Sequence, residues 1–197
     1  MPNYSEIIYS VREAFVIPLL DNAGSYGTPQ VFEYVQDVSW EPVHDNDMIK
    51  AQGVNLEALS VQIGSKITVK EASMRAETIN VIQGNTATES GDSGNRVRTR
   101  INSGGGAGLP YIGLIAVCEA TDGAVFVAGW PKTQAETKQK FSIEQNKFRV
   151  GEMNFNAVAT LIEGKDIEIF RAYETDADLP DFSDNAAVEA LFANLWS

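Results

Sequence analysis

A chain of 197 residues is long enough to bury its own core, and it predicts one domain over residues 1–175 followed by an acidic linker and helix or arm over 176–197. The formal net charge of -12 argues against high-affinity nucleic-acid binding, which requires a positive surface that displaces counterions from phosphates. A single cysteine excludes a disulfide framework, and the lack of a long apolar run or basic leader predicts neither a membrane span nor a signal peptide.

The first part of the chain has the pattern of β-strands. Residues 11–20 are apolar and β-branched, residues 21–30 are rich in turn formers, and residues 31–43 alternate, which predicts a hairpin with one packed and one wet face. An acidic loop is expected at residues 44–47. Residues 54–70 predict two shorter strands that are broken at Gly64-Ser65.

A helix is predicted over residues 72–82. Ser73 is in position to cap its N-terminus, and Gly84 stands where the left-handed residue that ends a helix is expected. The polar, glycine-rich residues 83–110 that follow predict a long loop. Compact domains rarely contain such a loop unless it is functional or disordered. Within this loop three arginines occur at every second position: Arg96, Arg98 and Arg100. This basic tip on an acidic chain predicts a contact with another subunit.

The second part of the chain returns to strand patterns. Residues 111–119 and 124–130 are apolar runs joined by a turn that contains Asp122-Gly123, and they predict a hairpin. Residues 150–161 alternate between apolar and polar side chains, and residues 167–173 predict a last strand. Residues 183–196 have the periodicity of an amphipathic helix with Ser183 as its N-cap.

These elements together predict a mainly β fold. Several antiparallel strands at short spacing are typical of an antiparallel β-sandwich or open barrel, here with one flanking helix, a long inter-strand loop and a C-terminal amphipathic helix or arm. No internal repeat and no clear second domain is visible in the sequence.

Motifs that could carry chemistry lack their partners. Gly91-Asp92-Ser93-Gly94 matches the nucleophile segment of chymotrypsin-like proteases, but that Ser needs a His base, and His44, the only histidine, lacks the family's context. The glycines at residues 104–108 are not followed by the Lys and Ser/Thr of a phosphate loop. One His and one Cys cannot form a zinc site. The sequence therefore predicts no catalytic residue, no metal and no cofactor.

Four stretches of the chain carry a family resemblance. They are Val38-Ser39-Trp40-Glu41-Pro42 with the acidic residues after it, residues 54–59, residues 108–115 and residues 148–160. In this order they resemble the major tail tube proteins of phages with long, non-contractile tails. Inner-tube proteins of contractile tails and of type VI secretion systems are related to that family.

The resemblance implies a fold and an assembly. The expected fold is a β-sandwich flanked by a helix, and the expected assembly is a stack of hexameric rings that encloses a tape-measure protein and later conducts DNA without binding it specifically. Tail-tip and terminator proteins are the other expected partners. The expected location is the virion, after synthesis in the cytoplasm of the host bacterium, and no enzymatic activity is implied.

Three sets of residues are candidates for roles in such a tube. The arginine tip is expected to contact the neighbouring ring, and carboxylates on the wet faces of the predicted strands are expected to repel DNA from the channel wall. Those carboxylates are Glu33, Asp37, Glu41 and Glu152. The apolar face of the last helix must dock on a surface, and its candidate residues are Leu191, Phe192, Leu195 and Trp196.

Two other classes of protein stay open at this point. A capsid decoration protein or a carbohydrate-binding β-sandwich would use the long loop for recognition and would form compact oligomers. A serine hydrolase would use Ser93, although His44 is the only histidine available to it.

Overall fold

The structure is a computed structural model, and it describes residues 9–20, 25–51, 54–72, 75–85, 88–90, 97–99, 108–120, 123–136, 151–159, 171–175 and 181–194. Within these ranges the elements, in chain order, are β1 (Tyr9–Pro18), β2 (Gln30–Val31), β3 (Val35–Ala51), β4 (Val54–Glu71), α1 (Ala76–Gln83), β5 (Thr88–Ser90), β6 (Val97–Thr99), β7 (Ile112–Ala120), β8 (Val125–Ala135), β9 (Gly151–Val158), β10 (Arg171–Thr175) and α2 (Asn185–Asn194).

The main sheet is antiparallel throughout its described pairs. Its strands follow the order β2–β1–β7–β8–β9–β4–β3, and β10 pairs with β8 beside this path. The prediction of a mainly β, antiparallel fold is therefore confirmed. The described strands leave β2 and β3 at the two ends of the order, so they do not close into a barrel.

The sheet divides along one edge of β8. The first residues of β8 pair with β10, up to Gly129, and the last residues pair with β9, from Thr133 onwards. Pro131 lies between these two stretches and has no register partner in the described pairs, so a residue without an N–H is tolerated there. Its carbonyl oxygen accepts a hydrogen bond from the buried Tyr26 hydroxyl at 2.9 Å, which fixes this point of the strand.

The strands β1, β7 and β8 are buried on both faces. On one face Leu114 and Ala116 belong to a core cluster that also contains Phe155 of β9 and Ile67 of β4. On the other face is a second cluster, formed by Phe15, Ile17, Tyr26, Ile115, Val117, Val127, Phe182, Val188 and Phe192. The last three of these residues come from α2 and the segment before it. This double burial explains the nearly continuous apolar runs in the sequence of β7 and β8.

Strand β9 has only one buried face. Met153, Phe155 and Ala157 are buried, while the polar residues between them are exposed, as the alternation in the sequence predicted. The predicted hairpin of β7 and β8 is also confirmed, since Cys118 pairs with Phe126 and Gly123 adopts a positive φ of 90° in the turn.

Both helices begin later than predicted. The N-cap of α1 is Arg75 and not Ser73, which lies outside the described residues, and the N–H of Ala72 donates to Tyr34 of the neighbouring segment instead of starting a helix. The predicted left-handed end at Gly84 is confirmed by its φ of 66°. In α2 the side chain of Asp184 accepts a hydrogen bond from the N–H of Ala186 at 3.1 Å.

Asp184 is therefore the N-cap of α2, and the assignment of Ser183 to that role was wrong. The carbonyl of Asp184 also accepts from the N–H of Val188, as an N-cap carbonyl does, whereas the N–H of Ser183 donates to the side chain of Asp181. The predicted end of the helix at Leu195 and Trp196 lies outside the described residues.

Two breaks predicted in the first half are absent. The acidic residues 44–47 lie inside β3, which has 17 residues, and Gly64-Ser65 lies inside β4, which has 18. Pro42 is compatible with β3 because that strand ends the sheet order and Pro is tolerated on an edge. A shift of register beside Gly64 lets the two long strands remain paired without a break.

The long loop contains a small sheet of its own. Strands β5 and β6 pair antiparallel, with Glu89 opposite Arg98. Residues 91–96 between them, with the Gly91-Asp92-Ser93-Gly94 motif, lie outside the described residues.

Candidate assembly surfaces

The hairpin of β3 and β4 extends past the rest of the sheet. Strand β4 pairs with β9 only from Gly64 to Glu71, whereas its pairing with β3 continues to the last pair, Ala51 with Val54. We call residues 44–51 and 54–63 the arm. At about 3.3 Å per residue, the arm reaches roughly 25 Å beyond the last pair with β9. Among the described strands, the arm has no neighbour but itself.

The side chains at the root of the arm are exposed although two of them are large and apolar. Val61 is 49% exposed and Ile63 is 54% exposed. Asp45 is the register partner of Val61 and is also exposed, so an acid stands beside the apolar pair. His44 Nδ1 lies 3.3 Å from Ser60 Oγ on the neighbouring strand. We call Val61, Ile63 and Asp45 the arm patch.

The arm leaves the sheet at a closely packed point. A Cβ atom built on Gly64 would lie 2.8 Å from the main-chain oxygen of Ala157, a distance that real Cβ atoms do not show. Gly64 therefore permits the close approach of β4 and β9 at this position. Its neighbour Ser65 is buried, so the transition from packed sheet to exposed arm takes only a few residues.

One face of the strands β3, β4 and β9 is polar. The register places Asp37, Lys70 and Glu152 in one row, and the Nζ atom of Lys70 lies 3.4 Å from Asp37 Oδ2. A second row contains Glu41 and Lys66. Between these rows Thr68 Oγ1 donates to Asn154 Oδ1 at 2.8 Å, beside a shallow groove of about 450 Å³.

This face collects three of the four predicted wall carboxylates, Asp37, Glu41 and Glu152. The prediction was incomplete, because Lys66 and Lys70 lie among these acids, and the face is mixed in charge rather than purely acidic. Glu33 is not on this face. It lies in the turn between β2 and β3, where it forms an ion pair with Arg75.

The predicted contact residues lie in two places. Arg98 is in β6, while Arg96 and Arg100 lie outside the described residues. Leu191 and Phe192 are in α2, and the Phe192 ring packs on its own chain, with its centroid 4.9 Å from that of Tyr26. The predicted docking residue Phe192 is therefore 1% exposed within the single subunit.

An apolar groove that sequence reasoning missed lies where β1 and α1 end and β7 begins. Its volume is about 300 Å³, and its apolar lining consists of Pro18, Leu19, Val81, Pro110, Tyr111 and Ile112. A Cβ atom on Gly84 would lie 3.3 Å from Pro110, and the positive φ of Gly84 also favours glycine at this close approach. The adjacent Leu20 is 67% exposed.

A lysine stands at the rim of this groove. The Nζ atom of Lys132 lies 4.5 Å from the centre of the Tyr111 ring, within the range of a cation–π contact, and Tyr111 is itself 40% exposed. We call the groove together with Leu20 and Lys132 the groove patch. The only sequence signal for it is the pair of apolar dipeptides Leu19-Leu20 and Leu109-Pro110, which flank turn or loop segments.

The end of β4 contains a buried acid on the core-facing side of the strand, where Glu71 continues the buried series of Ile67 and Val69. Glu71, the last residue of β4, is 1% exposed, and neither of its carboxylate oxygens makes a hydrogen bond of normal geometry. Burial raises the pKa of Glu71 to about 7, and the main chain of Tyr34 opposes part of that rise. Its strand neighbours Val35 and Gly151 offer no charge.

The described residues contain no constellation for metal or nucleophilic chemistry. No group of three or more His, Cys, Asp or Glu side chains in these ranges is placed to hold a metal ion. Cys118 is buried, and burial raises the pKa of its thiol, which disfavours the reactive thiolate. No helix in the described part of the chain is long and apolar enough to cross a membrane.

Comparison with known proteins assigns no family: no protein-family model and no curated protein matches the chain.

Proposed function

We propose that this chain is the structural subunit of a phage tail tube. Subunits form hexameric rings, and the rings stack into a hollow conduit that first encloses a tape-measure protein and then conducts DNA. The subunit acts in the virion and performs no catalysis. Tail-tip and terminator proteins limit the two ends of the tube.

The arm is the observation that carries this proposal. A two-stranded ribbon that reaches roughly 25 Å past its sheet is marginal alone in water and gains stability from a partner surface. Val61 and Ile63 on the arm add apolar area that a free subunit leaves in water. A ribbon of this length therefore supports a role in joining one subunit to another.

The two halves of the sheet support a sandwich-like wall. Strands β1, β7 and β8 share one core cluster with β9 and β4, so each half covers an apolar face of the other. The outer face of β3, β4 and β9 stays polar, and in a tube it lines the channel. The unpaired edges of β2 and β3 at the ends of the sheet order are the edges that ring closure would protect.

The mixed charge of the polar face fits a conduit for DNA. Lys66 and Lys70 each have a register partner that is an acid, Glu41 and Asp37, so neither lysine adds to an uncompensated positive patch. Counterion release from phosphates, which drives binding to DNA, requires such a patch. The face is therefore polar and non-adhesive, and the net charge of -12 acts in the same direction.

Electron microscopy of the concentrated protein tests the proposal. We expect hollow cylinders or stacked rings in negative stain, and rapidly sedimenting species in analytical ultracentrifugation. A chain that stays monomeric at high concentration, with phage tail initiators present, would contradict the proposal. Compact closed oligomers without filaments would favour a capsid decoration protein or a carbohydrate-binding module instead.

The predicted arginine tip is tested separately. Replacing Arg96, Arg98 and Arg100 together by Glu is expected to impair the growth of tubes while far-UV circular dichroism stays unchanged. Normal tubes from this triple variant would remove the arginines from the contact between rings and leave the tube itself in place.

A further inference from the structure

The subunit exposes two different apolar surfaces. One is the arm patch, where Val61 is 49% exposed and Ile63 is 54% exposed. The other is the groove patch, where Leu20 is 67% exposed and Tyr111 is 40% exposed. Since all four side chains remain open in the single subunit, neither patch covers the other within one chain. Each patch contributes apolar surface that a contact with another chain would remove from water.

The two patches differ in shape. The arm patch lies on a protruding two-stranded ribbon, whereas the groove patch surrounds a concave volume of about 300 Å³. A protrusion and a groove at different places on one molecule make a heterologous contact between copies. Such a contact, repeated from copy to copy, produces a ring or an open polymer, whereas a reciprocal exchange of arms between two copies would produce a closed dimer.

The charges beside the two patches are complementary. Asp45 is exposed and stands opposite Val61 in the register of the arm. Lys132 stands over the ring of Tyr111 at the rim of the groove. An approach that brings Val61 to Tyr111 therefore also brings a carboxylate towards an ammonium group, and this fixes the orientation of the contact.

We propose that the arm patch of one copy of this chain docks in the groove patch of a second copy, with Asp45 facing Lys132. This inference rests on the proposed function, because it names the contact through which tube subunits hold one another. One such contact is small. Its strength in a tube comes from repetition around a ring, where every subunit contributes one arm and one groove.

Cysteine cross-linking tests the contact directly. The single native cysteine, Cys118, is buried, so introduced cysteines report without interference. Val61→Cys and Tyr111→Cys subunits are mixed under mild oxidation. We expect a mixed disulfide between the two variants at least about tenfold faster than either variant links to itself, a difference that corresponds to about 1.4 kcal/mol.

Glu119→Cys provides the matched control. Glu119 is exposed at the other end of β7 from Tyr111, so its cysteine is accessible but distant from the groove. If Val61→Cys links to Glu119→Cys as fast as to Tyr111→Cys, the docking is wrong. The pair Asp45→Cys and Lys132→Cys repeats the test without removing an apolar side chain from either patch. If Asp45→Cys links to Glu119→Cys as fast as to Lys132→Cys, the proposal is also overturned.

Charge reversal tests the orientation. Asp45→Lys alone and Lys132→Asp alone are each expected to slow polymer growth about fivefold, and the double variant is expected to recover most of that loss. Far-UV circular dichroism checks that each variant folds. A double variant that assembles no better than the single variants would overturn the facing of Asp45 and Lys132.

The outcomes separate this inference from the proposed function. Hollow tubes that show no preferred link between positions 61 and 111 would refute the docking and leave the tube function standing. A strong link in compact oligomers that never form tubes would support the docking and refute the tube function.

Discussion

The middle strands β1, β7 and β8 and the arm both contain β-branched apolar residues, but the described ones have opposite surroundings. Val127 in β8 is 1% exposed, between the sheet and the helix α2, whereas Val61 in the arm is 49% exposed. Both residues lie on long antiparallel strands. The difference is that the middle strands are covered on both faces by their own chain, whereas Val61 and Ile63 of the arm are left exposed.

This contrast separates the residues that stabilise the fold from the residues that remain exposed for contact with other molecules. The free energy of folding comes from burial in the two clusters of the middle strands. Val61 and Ile63 of the arm belong to neither cluster, so these two side chains are available for association. Variants that change the stability of the subunit and its assembly separately can therefore test this difference.

The largest effect is expected for Phe192→Ala. The Phe192 side chain is 1% exposed and holds α2 against the middle strands, next to Tyr26 and Gly113. Removing the ring leaves a cavity in the second cluster and should lower the free energy of unfolding by about 3–5 kcal/mol. Urea unfolding followed by circular dichroism measures this change.

Glu189→Ala is the control for Phe192. It lies on the same helix with an exposed side chain, and its substitution should alter the free energy of unfolding by less than about 0.5 kcal/mol. If Phe192→Ala were as mild as Glu189→Ala, α2 would not be part of the folded unit, and the double coverage of the middle strands would be refuted.

The next effect concerns the pH dependence conferred by Glu71. Its pKa is raised from 4.5 to about 7 in the folded state, so the fold favours the neutral carboxyl. The stability that the neutral form confers is fully present below pH 4.5, falls as the pH rises through about 7, and is constant above that. Over this window the loss is at most about 3 kcal/mol.

Glu71→Gln is expected to remove this loss, since Gln keeps the shape and cannot ionise. Its stability relative to the original chain should therefore increase between pH 4.5 and 7. Unfolding curves measured across that range test the sign. Glu152→Gln is the matched control, because it makes the same change at an exposed position of β9 and removes no buried carboxyl group. Parallel curves for the Glu71→Gln variant and the original chain would contradict a neutral Glu71 at the root of the sheet.

The middle strands could be predicted from the sequence and the arm could not. Burial on two faces makes β7 and β8 continuous apolar runs, and the Asp122-Gly123 pair predicts the turn between them. Met153, Phe155 and Ala157 in β9 alternate because one face is buried. These signals are local, so they can be recognised in a single sequence.

The arm was missed because its signals contradict local rules. Pro42 and Gly64 look like the ends of strands, and they are tolerated only because β3 is an edge and because β4 approaches Ala157 closely. The groove patch was missed for a different reason. It forms where β1 and α1 end and β7 begins, and residues as distant in sequence as Leu19, Val81 and Tyr111 meet only in the folded chain.

A smaller effect is expected for Gly64→Ala, at the boundary between the two regions. The new methyl group would meet the main-chain oxygen of Ala157 at 2.8 Å, and a main chain cannot move aside as a side chain does. The strands β4 and β9 must separate, which should cost about 1–3 kcal/mol of stability. Gly108→Ala is the control, because no atom lies within 4 Å of its new methyl group. Equal stability of the two variants would show that β4 and β9 do not approach each other closely at Gly64.

The smallest effect on folding is expected for Val61→Thr, and it decides the comparison most directly. The same substitution at Val127 places a hydroxyl group in a core that offers it no water and should cost about 1–3 kcal/mol. At Val61 the hydroxyl stays in water, so the free energy of unfolding of the single subunit should change by less than about 0.5 kcal/mol. The growth of polymers should nevertheless slow, because the substituted side chain loses apolar area that would be buried between copies.

If Val61→Thr instead destabilised the subunit as much as Val127→Thr, the arm would already be covered in the free chain. Its apolar residues would then belong to the fold, and the contrast between the two regions would disappear.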